Sequence, residues 1–300
     1  MKCNLCPRGC NADRGAGKGV CGTDGAVLSR VGTHVWEEPC ISGSRGSGTI
    51  FFAGCNLKCR FCQNYDVTVR PHGSKVDARR LADVILYVAG SGVHNVNLVT
   101  AAHVSDVVAQ ALSLCKHRLK VPVVYNTSSY ESVRALKNLE GLVDVYLPDL
   151  KFCSAKLSAD MCNAADYFSV ATAAIEEMRR QQPQNVYAEG ILQRGVLVRH
   201  LVLPNMTEDT KRVLDWIAAF DKTLPVSLMA QYFPARKDDK FPFLNRRLYS
   251  HEYRNAVEYF FNVGLTQGYT QEAQSATKDY VPDFSDAEMA ALLDKIPREF

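Results

Sequence analysis

Three cysteines fall within eight residues of the stretch GCNLKCRFCQNY, and this spacing constrains the chain more than any other feature. Cys55, Cys59 and Cys62 stand at C-x3-C-x2-C spacing directly after the apolar run TIFFAG, so a strand ending there delivers three thiols to one place. Iron–sulfur clusters are held by thiolates, each on its own iron. Three local ligands leave one iron of a cubane unclaimed, open to a distant residue or to a bound molecule. Zinc competes, but structural zinc sites draw on paired knuckles and complete a tetrahedron, and the nearest histidine is His72. Three buried, unliganded cysteines at this density carry the least weight.

The chain has eleven cysteines in 300 residues. The N-terminal MKCNLCPRGC has no apolar run behind its charge, so a signal peptide is not expected. No stretch approaches the ~18 apolar residues of a spanning helix, and a cytoplasmic protein without membrane contact is expected. That setting disfavours a disulfide framework and favours metal ligation. A formal net charge of +3 with 22% charged residues demands neither nucleic acid nor an anionic membrane. A second cysteine group, Cys3, Cys6, Cys10 and Cys21, lies in residues 1–27, which hold too few large apolar side chains to build a core. Such a segment folds around a metal. Spacing leaves zinc or a second iron–sulfur cluster open; a short knuckle followed by a strand tilts toward zinc, whereas a cluster could relay electrons. Residues 1–27 contain no aromatic residue, which argues against an RNA-binding knuckle. Cys40, Cys115, Cys153 and Cys162 read as small buried hydrophobes.

From residue 28 to 300 the chain reads as one further unit. Six near-continuous apolar runs (TIFFAG, NVNLVT, VPVVYNT, DVYLPDL, GVLVRHLVLP and PVSLMAQYF) are what parallel strands covered on both faces require. Helical patterns lie between them, including one long segment over 154–182, with Asp77, Ser105, Ser129 and Thr207 as expected N-caps. The alternation gives a β/α barrel or an open α/β sheet, with chemistry beyond the C-terminal strand ends.

The triad, with Phe61 before Cys62, resembles the signature of radical S-adenosylmethionine (SAM) enzymes. The wider SGTIFFAGCNLKCRFCQNY resembles their glycyl-radical-enzyme activating branch, the pyruvate formate-lyase activating enzyme-like proteins. The similarity runs through HVWEEPCISG, NLVTAAH, VYNTSSY, YLPDLKF, VRHLVLPN and MAQYFP, from Cys3 to about Pro282. It implies an α/β fold, a partial (β/α)6 TIM-type barrel carrying a [4Fe–4S] cluster, with SAM on the open iron and hydrogen abstraction from a substrate. It also implies a protein or peptide substrate and an electron donor such as flavodoxin or ferredoxin. By the same resemblance PDLK marks Asp149 and Lys151 as cofactor contacts, NTSSY marks Asn126 and Thr127, and VRH marks Arg199 or His200. Two departures stand out: LVTAAHV replaces a Gly-Gly-Glu type element, leaving Thr100 to hold the methionyl amine and His103 without an assigned role, and Ser129 stands where related sequences have glycine. The alternatives are a radical SAM methyltransferase, or a non-catalytic iron–sulfur or zinc protein for electron transfer or interaction.

Overall fold

The computed structural model describes residues 2–271 and 284–300, so the end of the resemblance near Pro282 lies outside the described residues. The chain opens on a cysteine-bearing segment and then runs β1 (Ala26–His34), α1 (Pro39–Ser42), β2 (Ser47–Phe52), α2 (Tyr65–Val69), β3 (Ser74–Val76), α3 (Ala78–Gly90), β4 (Val96–Val99), α4 (Ser105–Cys115), β5 (Val123–Thr127), α5 (Val133–Lys137) and β6 (Val145–Pro148). It continues through α6 (Ala155–Cys162), α7 (Tyr167–Gln181), β7 (Val186–Ala188), β8 (Ile191–Val196), β9 (Val198–Leu201), α8 (Thr207–Phe220), β10 (Val226–Met229), α9 (Ser250–Asn262), β11 (Gly268–Thr270) and α10 (Asp286–Lys295).

All six sequence-derived strands form. β2, β4, β5 and β6 pair in parallel, and so do β9, β10 and β11. The two groups join where Leu150 N–H donates to the Arg199 carbonyl at 2.8 Å, beside an Asp149–Arg199 bridge. The order β2-β4-β5-β6-β8, carried on through the Asp149–Arg199 bridge to β9-β10-β11, is a partial barrel, and β1 closes onto β2 antiparallel. Every residue of β2, β4, β5, β6 and β10 is buried, because helices cover one face and the barrel interior fills the other. α3 shows the helical counterpart: Leu81, Val84, Ile85 and Val88 recur at three- and four-residue spacing and face the core.

The expected helix starts fare unevenly. Asp77 caps α3 by accepting from Arg80 N–H at 2.8 Å. Ser105 and Thr207 are instead the first helical residues, and Ser129 sits in a left-handed turn (φ +62°) ahead of α5. The single helix expected over 154–182 is two, α6 and α7, broken at Asn163, whose left-handed conformation (φ +54°) ends α6. Among the described residues no helix is long and apolar enough to cross a membrane.

The N-terminal segment lies on the barrel mouth. Arg8 donates to the carbonyls of Asn56 (2.6 Å), Cys162 (3.0 Å) and Asn163, and stacks over Tyr130. Cys55 N–H donates to the Cys21 carbonyl at 3.2 Å, so the two cysteine-bearing stretches touch through their backbones.

A thiol-lined cavity with a buried ion network

The loop after β2 must turn sharply inside the barrel mouth. Gly54 makes this turn at φ +83°, where an added Cβ would lie 2.7 Å from the Cys21 carbonyl oxygen. Gly54→Ala should therefore cost about 1–3 kcal/mol in strain and clash and lower iron uptake. Thermal melting and iron content check this, and an unchanged melting point would show that the Cys21 carbonyl yields freely.

Past that turn, Cys55, Cys59 and Cys62 line a cavity of about 220 Å³, large enough for a small molecule and too small for a folded domain. Burial raises the Cys55 thiol, with Cys59 adding to the effect, and it pushes Cys62 up to about 12. Ligation must therefore displace protons from thiols that otherwise stay neutral.

The same cavity is also lined by charge. At the end of β6, Asp149 accepts from Lys151 Nζ at 2.6 Å and from Arg199 Nε, on β9, at 2.8 Å. Arg199 continues to Glu37 at 3.1 Å and to the Asn126 amide oxygen at 2.5 Å, while Asn97 and Asn126 each donate to Glu37 at 3.2 Å. Burial alone would raise the Asp149 carboxyl, but Arg199 and Lys151 outweigh it and hold it low. Burial would lower Lys151 and Arg199, and the carboxylates beside them reverse that. Burial pushes Glu37 up despite Arg199, and Glu38 behaves likewise.

Thr100, Asn126, Thr127, Asp149, Lys151 and Arg199 all line this cavity, as do Ser128 and Gln231. Thr100 is a β-branched residue at φ +65°, strain of the kind held at functional sites. Thr127 is committed elsewhere: its hydroxyl donates to the buried Glu131 at 2.5 Å.

His200 requires a correction as a cofactor contact. Alternation along β9 points it away from Arg199, into the core, where Nδ1–H donates to the Leu150 carbonyl (2.6 Å) and Nε2 accepts from Thr210 (2.9 Å). Burial lowers its pKa from 6.5 to about 4. The unfolded chain takes up this proton near pH 6.5 and the folded chain does not. Stability is thus complete above pH 6.5 and falls toward pH 4, by up to roughly 3 kcal/mol from this residue. His200→Gln should melt with a visibly shallower loss between pH 7 and 5; equal losses would refute the assignment. His103 is also buried, with Nε2 at 2.9 Å from the Ala53 carbonyl, and stands outside the cavity.

Sequence reasoning missed Glu37. Its signal was the pair of adjacent acids in HVWEEP, with no cation close by in sequence to pair them.

The N-terminal thiols are near one another. Sγ of Cys10 and of Cys21 lie 3.5 and 3.4 Å from where a Gly19 Cβ would stand, and the half-buried Cys6 thiol feels both Cys21 and Cys3. Among the described residues no three histidine, cysteine or carboxylate side chains converge on a single ion. A cubane makes no such demand, since its thiolates sit on separate irons.

Fold and cavity first define a class: a partial β/α barrel that brings a cluster-competent thiol loop and a buried ion network to one cavity. The description "Radical SAM superfamily" matches residues 49–217, more than half of the chain. An uncharacterized protein of Methanocaldococcus jannaschii (MJ0674) is 30% identical over 264 residues, 85% of this chain and 73% of that protein. The crystal structure of SuiB from Streptococcus suis bound to S-adenosylmethionine shares the fold, with a TM-score of 0.51, 14% identity and coverage of 78% of this chain and 52% of that one. Methylornithine synthase (PylB) aligns with a TM-score of 0.49 at 13% identity, over 83% and 80% of the two chains. The chain belongs to the radical SAM superfamily.

Membership implies a [4Fe–4S] cluster and SAM, and the residues present fit both. Three thiols line the cavity, and other residues lining it offer cations for a carboxylate and carboxylates for an ammonium group.

Proposed function

We propose that this chain reductively cleaves SAM and abstracts hydrogen from a protein or peptide substrate, as an activator of a glycyl radical enzyme. The supporting observation is the cavity itself, lined both by cluster-competent thiols and by a zwitterion-complementary network. Cys55, Cys59 and Cys62 would hold the cluster. Lys151 and Arg199 would face the methionyl carboxylate, and Asp149 and Glu37 its ammonium group, with Asn126 fixing the guanidinium. When bound, cluster and SAM supply a 5′-deoxyadenosyl radical. The chain's part is to orient the cofactor and keep water from it; Cys55, Cys59 and Phe61 are each only 8% exposed. The activating-branch reading rests on the motif resemblance from HVWEEPCISG to MAQYFP, and flavodoxin or ferredoxin would supply the electron.

Cys3, Cys6, Cys10 and Cys21 would hold a second metal centre, either zinc or another cluster. The test is anaerobic reconstitution with reductant and SAM, followed by iron, sulfide and zinc counting and product analysis. Release of 5′-deoxyadenosine is expected; its absence from cluster-loaded protein would overturn the reading. A Cys3/Cys6 variant counted alongside separates the two metal sites.

A further inference from the structure

Cys162 reads from sequence as a small buried hydrophobe, and the fold does bury it in the core, but against a polar partner as well. Its Sγ lies 3.2 Å from Sγ of Cys59, across 103 residues of chain, and both side chains are buried. That separation far exceeds the ~2.05 Å of a disulfide and suits a hydrogen bond between sulfurs. We propose that Cys162 is a positioning residue for the cluster: its S–H donates to the Cys59 sulfur once that sulfur ligates iron, and so raises the cluster's reduction potential. The proposal rests on the reading of Cys55, Cys59 and Cys62 as cluster ligands.

The donor direction follows from ligation. A cysteine on iron has given up its proton, so only Cys162 can supply the hydrogen. A donor on a ligand sulfur draws density from the metal and favours the reduced state. Cys162 does not line the cavity, so it is not placed to occupy the open position that faces the cofactor.

The contact is held from several directions. Next to Cys59, Arg60 N–H donates to the Met161 carbonyl at 2.8 Å, and Arg60 Nε to the Asp160 carbonyl at 2.9 Å. Arg8 grips the Cys162 carbonyl together with that of Asn56 in the ligation loop. At its other end α6 is anchored by Asp209, which accepts from Cys153 N–H (3.0 Å) and Ser154 N–H (2.8 Å). These bonds fix the end of α6 against the loop on both sides of the sulfur pair.

The test is a reductive titration of the anaerobically reconstituted full chain, following by electron paramagnetic resonance the signal that changes when SAM is added. Cys162→Ala removes the donor and Cys162→Ser keeps one. In the alanine variant the reduced-to-oxidised ratio at a fixed potential should fall roughly tenfold, which is 59 mV for one electron, and serine should restore most of it. An unmoved midpoint in a fully loaded alanine variant overturns the proposal. So does an equal shift in both variants, which would mark a packing effect. Wild-type protein that takes up no cluster would overturn the ligand reading itself, before any variant is compared.

Discussion

Alanine at Cys55, Cys59 and Cys62 together should abolish cluster uptake at this loop and reduce 5′-deoxyadenosine to the level of a protein-free control. Among the described residues, these three are the cysteines that line the cavity. Cys162, whose sulfur lies 3.2 Å from that of Cys59, does not line the cavity and is one thiol where three are needed. Cys55 and Cys59 are small members of a core that also holds Ile50, Phe52, Leu57 and Leu98, so the fold should survive the loss of the three sulfurs. Circular dichroism should stay at wild-type level while iron per chain falls by the full content of one cluster. Iron that remained at wild-type stoichiometry would assign the cluster to the N-terminal cysteines and leave the cavity without its metal.

Asp149→Ala should produce the largest loss of stability among single changes at the site. Asp149 is the shared anion between Lys151 and Arg199, and the side chains of all three are less than a fifth exposed. Its removal strands the Lys151 ammonium and leaves Arg199 only Glu37 and Asn126. Breaking a buried pair by deleting one partner typically costs about 3–5 kcal/mol, mostly the burden of the orphaned charge. Urea unfolding with an unchanged m-value would report this directly, and SAM affinity should fall with it. A loss below about 1 kcal/mol would show that water reaches the network and that Lys151 needs no partner. Arg199→Lys should behave nearly as badly, because an ammonium cannot serve Asp149, Glu37 and Asn126 at once.

Much of this was legible in the chain itself, and the limits follow physical lines. The six strands could be read because their burial on both faces forces uninterrupted apolar runs. The triad could be read because its three ligands come from one loop. Asp77 was legible as a cap because its partner, Arg80 N–H, is three residues away. The failures share the opposite property. Cys162 meets Cys59 across 103 residues, and Glu37 meets Arg199 across 162, so no local pattern marks either. Arg199 and His200 are neighbours in sequence, and only the register of β9 decides which faces the cavity. The split between α6 and α7 hangs on one residue, Asn163, adopting a left-handed conformation that its neighbours do not require.

The grip of Arg8 on Asn56, Cys162 and Asn163 has a thermodynamic corollary. Arg8 stands between Cys6 and Cys10, so whatever orders those thiols also orders the guanidinium, and through it the ligation loop. If both thiol sets hold metal as proposed, they are linked equilibria: if occupancy of the N-terminal set tightens iron at Cys55, Cys59 and Cys62 by some factor, occupancy of the triad must tighten the N-terminal metal by the same factor. Chelators should then strip any metal at the two sets together rather than in sequence, and protein lacking residues 1–24, which leaves β1 whole, should bind iron at the triad more weakly than the whole chain does.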